Sequence, residues 1–216
     1  MISSKKAFFF DLDGTLIDSF SDVYRCINSA LNKMNIATLS KQDIIALIGP
    51  DLKKSMTTQF QSISFDYDLF IDYYRLYYNQ SNTIETQLYD FVEETLLSLT
   101  NNGYCLAVLT NKPENQAVDI LEQLGVAHFF SKIAGPDTYD CPKPNPAGLI
   151  ALSRELGFKK EDIVFVGDTP TDMMTASQIN VISVAATYGY GDISDLQACF
   201  PDYFIDSMKA LLTIVQ

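Results

Sequence analysis

Histidine is almost missing from the 216-residue sequence, and that scarcity excludes more chemistry than any abundance does. With His128 as the single histidine, the chain cannot build a multi-histidine zinc site, and a Ser-His-Asp or Cys-His mechanism would rest on that one residue. Flanked by Phe129 and Phe130, His128 reads as structural. The four cysteines, Cys26, Cys105, Cys141 and Cys199, form no Cys-x-x-Cys pair, and the apolar run near the N-terminus, Ala7 to Phe10, is too short for a secretory signal. A reducing cytoplasm is the expected location. No apolar stretch reaches the roughly 18 residues of a transmembrane helix. Positive charge is also short: 15 Lys plus Arg against 27 Asp plus Glu leave a formal net charge of -12. Such a surface repels a phosphate backbone, so neither nucleic acid nor an anionic membrane is an expected partner.

What is present is an alternation. The short apolar runs Ala7–Phe10, Cys105–Leu109, Ile163–Val166, Val181–Val184 and Tyr203–Ile205 read as strands. Phe91–Leu99, Pro113–Leu124, Pro146–Leu156 and Met208–Ile214 carry apolar residues three and four apart, with Gly103, Gly125 and Gly157 placed to end helices. This pattern predicts an α/β fold, a Rossmann-like parallel sheet with helices on both faces. From Phe20 to Asn82 the alternation stops. Val23, Ile27, Ala30, Leu31 and Met34 recur at helical spacing, and Ser40 with Asp43 forms a capping-box pattern. The expected organisation is a core of residues 1–18 and 83–216 with an all-helical insertion at 19–82. Phe70, Tyr73, Tyr74, Tyr77 and Tyr78 crowd one helix of the insertion, either as its core or with a ring facing a ligand or a second subunit.

Ligands of an open parallel sheet bind at the carboxyl ends of its strands. There this sequence places Asp11-Leu12-Asp13-Gly14-Thr15, then Thr110-Asn111-Lys112, then Gly167-Asp168-Thr169-Pro170-Thr171-Asp172, with Lys143-Pro144 between the last two. Clustered carboxylates raise one another's pKa unless a cation offsets them, and Mg2+ is the oxygen-seeking ion that fits. Asp168, at a strand end, and Asp172, in the first turn of a helix, can face the same metal. In an extended segment Asp11 and Asp13 point the same way, so one can attack phosphorus as a nucleophile while the other transfers protons. Gly14 permits a close backbone turn against a phosphate, Thr110 can hydrogen-bond a phosphoryl oxygen, and Lys143 can offset transition-state charge. Gly189 and Gly191 do not complete a G-x-G-x-x-G fingerprint and read as a loop near the crevice.

These four stretches resemble the motifs of the haloacid dehalogenase superfamily of phosphohydrolases, and most closely its phosphoglycolate phosphatase group, which carries a helical cap after the first strand. The resemblance implies Asp11 as nucleophile, Asp13 as acid and base, Thr110 with the neighbouring backbone at Asn111 on the phosphoryl group, and Lys143 steadying Asp11 and the phosphoryl charge. It implies Mg2+ held by Asp11, the main-chain carbonyl of Asp13 and Asp168, with Asp172 just outside. An acid at position 13 separates this chain from the family's dehalogenases and from P-type pumps, and points to rapid hydrolysis of a small-molecule phosphate ester. The segment Ile48 to Lys54 resembles the family's specificity loop, so Lys53 or Lys54 is expected to reach an anionic group of the substrate. Competing readings are a sugar phosphomutase or pyrophosphatase of the same superfamily, or a phospho-aspartate signalling module without turnover. The chain is expected to be a monomer or a weak homodimer. Within 19–82 six acids balance six bases, so the whole excess of acid falls on the predicted core, which needs its metal to bind phosphate.

Overall fold

The computed structural model describes residues 5–81 and 83–215. Strands β1 (Ala7–Phe10), β4 (Cys105–Leu109), β5 (Lys132–Ala134), β6 (Ile163–Gly167), β7 (Ile182–Ala186) and β8 (Tyr203–Ile205) form a parallel sheet in the order β5-β4-β1-β6-β7-β8. β1 lies between β4 and β6, with Phe8 opposite Leu106 and Val164. The period-two geometry of a strand sends alternate residues to opposite faces. Phe8 and Phe10 accordingly join one apolar cluster, while Ala7 and Phe9 join another with Leu149, Leu152 and Phe165. Both faces are therefore buried, which explains why these strands read as continuous apolar runs. The chain runs from β1 outward to β5, then returns to β6 on the other side of β1, so the ends of β1, β4 and β6 border one crevice.

The expected helices form as α5 (Val92–Asn101), α6 (Glu114–Gln123) and α8 (Ala147–Glu155). The last segment opens as a 3-10 turn over Met208–Ala210 before α11 (Leu211–Val215). β5, the short helix α7 (Pro136–Tyr139) and the helices α9 (Pro170–Ser177) and α10 (Ile193–Ala198) complete the core. β7 begins and ends later than the apolar run Val181–Val184 suggested.

Between β2 (Ile17–Asp18) and β3 (Gln87–Leu88), the described residues form four helices and no strand: α1 (Phe20–Lys33), α2 (Lys41–Ile45), α3 (Leu52–Gln59) and α4 (Tyr67–Ser81). β2 and β3 pair antiparallel, Ile17 with Leu88 and Asp18 with Gln87, so a two-residue ribbon holds both linkers of the insertion. Ser40 and Asp43 make the capping box of α2. On α4, Phe70, Tyr74 and Tyr78 recur every fourth residue, are buried, and stack in turn at 6.1 and 5.3 Å. The aromatic crowd is thus mainly the insertion's core.

Candidate active site

Three of the four predicted acids, and Thr110, follow strands that end at the crevice. Asp11 and Asp13 follow β1, Thr110 follows β4, and Asp168 follows β6. Asp172 lies in the first turn of α9, where its Oδ2 accepts hydrogen bonds from the amide (3.0 Å) and hydroxyl (2.6 Å) of Thr169. Lys143 comes from the loop before α8, and the Asn111 side chain holds it there, accepting from the Lys143 amide at 2.7 Å and donating to its carbonyl at 3.0 Å.

Lys143, 1% exposed, sits between two buried carboxylates, its Nζ 2.7 Å from Asp11 Oδ1 and 2.6 Å from Asp172 Oδ1. Burial works against that charge, but Asp11 and Asp172 outweigh it and raise the lysine above its ordinary range. Burial and then the charge of Asp172 push the Asp11 carboxyl up to about 7, with Lys143 pulling the other way. Asp168 is pushed well up by burial, Asp11 and Asp172. One lysine does not neutralise three buried acids.

A divalent cation fits this deficit. Asp11, Asp168 and Asp172 offer ligand oxygens that all lie within 4.8 Å of one another. Asp11 Oδ1 is buried, and its charged partner is the Lys143 ammonium 2.7 Å away. Asp172 has both oxygens engaged by Lys143 and Thr169, and Asp168 has both engaged by Thr15 and the Tyr190 amide, so neither stands out as the freer ligand. The Asp13 carboxylate stands outside this cluster.

Glycine 14 serves Asp168. At φ +85°, a Cβ on Gly14 would lie 2.1 Å from Asp168 Oδ2. The close approach it permits is to this carboxylate, which also accepts from Thr15 Oγ1 at 2.9 Å, and Gly14 does not line the open cleft.

Asp13 has two partners to which the sequence assigned no role. Lys112 Nζ donates to both of its oxygens at 3.0 Å, and the Ser19 hydroxyl donates to Oδ1. Lys112 is buried, with its Nζ 5.0 Å from the ring centre of Tyr78 on α4. Burial lowers the Lys112 ammonium, but Asp13 outweighs it and the net shift is upward.

Asp11, Asp13 and Thr110 open onto a cleft of about 410 Å³, faced from the insertion by Gly49, Lys53 and Arg75. Thr110 Oγ1 accepts from the Lys112 amide at 3.1 Å, which leaves its proton for a ligand. Lys53 is exposed, with its Nζ 5.3 Å from the Tyr67 ring centre, while Lys54 does not line the cleft. Arg75 went unread in the sequence, one turn beyond Ile71 in an aromatic helix. Lys143 meets Asp11 but is not among the residues lining the cleft; Asn111 lines it, with both ends of its side-chain amide engaged, its Nδ2 also reaching the Gly49 carbonyl at 2.8 Å. His128 is exposed against Phe129, at 4.1 Å between ring centres, away from the cleft.

Fold and site together define a class: α/β proteins with an inserted helical segment that carry their chemistry on carboxylates at the strand ends. Comparison with known proteins narrows it. The family model for haloacid dehalogenase-like hydrolases matches residues 8–186, and the chain belongs to that family. It is 32% identical over 216 residues to a phosphoglycolate phosphatase of Haemophilus influenzae (strain 86-028NP), covering 95% of this chain and 96% of that one. To a phosphoglycolate phosphatase of Colwellia psychrerythraea it is 34% identical over 219 residues, covering 98% and 97%. A crystal structure described as a predicted phosphoglycolate phosphatase from Haemophilus somnus 129pt superposes with a TM-score of 0.90 at 33% identity, over 99% of both chains. A β-phosphoglucomutase from Clostridium difficile, at 19% identity and a TM-score of 0.77, over 96% of this chain and 93% of that one, shares the fold alone. No helix among the described residues is long and apolar enough to cross a membrane.

Proposed function

We propose that this chain is a Mg2+-dependent phosphatase of small phosphate monoesters, with 2-phosphoglycolate the first substrate to test, working through an aspartyl-phosphate on Asp11. The observation that carries the reading is the pair Asp11 and Asp13 opening together onto the cleft, the first backed by Lys143 and the second gripped by Lys112 and Ser19. Family membership and the phosphoglycolate phosphatase relatives support it.

In this reading an Asp11 oxygen attacks phosphorus as the bond to the ester oxygen breaks, and Asp13 gives that leaving oxygen its proton. Asp13 then takes a proton from water, whose oxygen attacks the same phosphorus, releasing phosphate and restoring Asp11. Lys143 favours the charged form of Asp11, the form that attacks. Asn111 keeps Lys143 in place, and Thr110 donates to a phosphoryl oxygen. Asp11 and Asp168, with the Asp13 main chain and Asp172 beside them, would hold Mg2+, which would supply positive charge against the buried acids and polarise the phosphoryl group. The helical insertion, taken as residues 19–82 on a core of 1–18 and 83–216, closes the cleft, and Lys53 and Arg75 offer charge to an anionic end of the substrate.

Purified protein is expected to release phosphate from 2-phosphoglycolate with Mg2+ and to stop with EDTA. Wild-type phosphate release by Asp11→Asn refutes the mechanism, and isomerised sugar phosphate as the main product would make the chain a mutase.

A further inference from the structure

The loop after β7 runs Tyr188-Gly189-Tyr190-Gly191 and is pressed onto Asp168. A Cβ on Gly189 would lie 2.4 Å from Asp168 Cβ, and one on Gly191 would lie 2.0 Å from the Asp168 carbonyl oxygen. Between these glycines, the Tyr190 amide donates to Asp168 Oδ2 at 2.8 Å. Its side chain reaches the other way. The hydroxyl donates to Asp18 Oδ1 at 2.9 Å and accepts from the Ser19 amide at 2.8 Å. Both residues belong to the linker that leads into the insertion.

Ser19 stands at the start of α1, where a serine hydroxyl ordinarily accepts from an amide in the first turn. It makes no such bond, and its hydroxyl donates to Asp13 Oδ1. A continuous path therefore runs Asp168, Tyr190, Ser19, Asp13. Its neighbour Tyr188 reinforces the loop, donating to the Thr15 carbonyl at 2.9 Å and packing edge-on at 5.0 Å against Tyr89 of the returning linker.

We propose that Tyr190 is a positioning residue, coupling the position of the linker into the insertion to the placement of Asp13 and Asp168. Backbone and side chain of Ser19 move together. A linker shift that takes the Ser19 amide from the Tyr190 hydroxyl also takes the Ser19 hydroxyl from Asp13. Asp168 is held through the Tyr190 main chain, which a side-chain change leaves in place. Loss of the hydroxyl should therefore impair proton transfer by Asp13 more than binding of metal or substrate. This inference rests on the roles proposed above for Asp13 and Asp168.

The test compares Tyr190→Phe, Ser19→Ala and the double variant of the full chain, with Asp11→Asn as control. Each single variant is expected to lower kcat about tenfold, with KM and half-saturating Mg2+ within about twofold of wild type. The double variant is expected to be no slower than the slower single one, because the two residues act through one path. In metal-free protein, hydrogen exchange at the Ser19 amide should quicken in Tyr190→Phe and stay unchanged in Ser19→Ala. Wild-type kcat in Tyr190→Phe, additive losses, or a raised KM at unchanged kcat overturns the coupling. Should Tyr190→Phe fail to fold, Ser19→Ala decides alone: a tenfold loss in kcat at unchanged KM supports the path, and unchanged kcat removes it. An active Asp11→Asn brings down the reading of the site, whereas an inactive Asp11→Asn beside a fully active Tyr190→Phe brings down the coupling only.

Discussion

Replacing Lys143 by Met keeps most of the side-chain volume and removes the one charge shared by Asp11 and Asp172. All three groups are at most 2% exposed, and the two contacts are 2.7 and 2.6 Å. Breaking a buried ion pair by deleting one partner costs about 3–5 kcal/mol, because the remaining charge stays buried and uncompensated. For a chain of 216 residues, at about 2–4 °C for each kcal/mol, metal-free Lys143→Met should melt roughly 6–20 °C below wild type at pH 7. Asp11, already at about 7 with the lysine present, moves higher without it and is mostly protonated at neutral pH. The nucleophile is then lost as well, and kcat should fall by about 10²–10³ or more. Adding Asp11→Asn to Lys143→Met should restore part of the stability, since an amide is neutral without the cost of taking up a proton at pH 7, but no activity. The assays are thermal melting in EDTA and phosphate release with Mg2+. A Lys143→Met protein melting within about 2 °C of wild type would refute the pairing argument, as would additive stability losses in the double variant.

Two further outcomes follow from the same carboxylates. Asp11 and Asp168 titrate higher in the folded chain than the ordinary 3.8, so the folded state binds more protons between about 4 and 7, and metal-free stability should fall as pH rises through that window. For Asp11 alone the gap of about three pH units corresponds to roughly 4 kcal/mol over the whole window, of which about 2 kcal/mol falls between pH 5 and pH 7, and urea unfolding in EDTA at those two values reads that part; a midpoint that rises with pH contradicts the direction. Gly14→Ala places a methyl 2.1 Å from Asp168 Oδ2 at a φ of +85°. About 1–2 kcal/mol of backbone strain is the least expected cost, with Mg2+-dependent phosphate release falling more than 100-fold, an order of magnitude taken from the loss of one aligned catalytic group; a fully active, normally melting variant would show that the loop gives way freely.

Much of the fold was legible because its central strands are buried on both faces, which writes them as unbroken apolar runs such as Ala7–Phe10. β5 has only three residues, Lys132–Ala134, and leaves no such run. β2 and β3 have two residues each, and Ile17 pairs with Leu88 far along the chain, so neither carries a local signal. The site divides the same way. Asp11, Asp13, Asp168 and Asp172 announce themselves by spacing beside strands and a helix start. Lys112 and Tyr190 depend on contacts 99 and 171 residues away, to Asp13 and Ser19, and nothing near them in sequence says that those contacts form. Lys143 was recognised as a site residue, yet its place behind Asp11 needed coordinates, since a loop lysine can face a ligand or back a nucleophile equally well.

The charge imbalance takes a different form once the cations are located. A core with all of the formal excess of -12 should repel a phosphate ester. Lys143 cannot counter that field at the mouth, because it is buried behind Asp11. Among the described residues lining the cleft the cations are Lys53, Arg75 and Lys112, and Lys112 is bound to Asp13. Asp51 and Asp68 also line the mouth, yet the Asp51 carboxylate is held by the Lys54 amide at 2.9 Å, capping α3. Positive charge that an incoming anion can meet first therefore belongs to the insertion, on α3 and α4. Lys53 and Arg75 share that face with Asp51 and Asp68, so the insertion brings cations to the cleft without adding to the core's excess of acid.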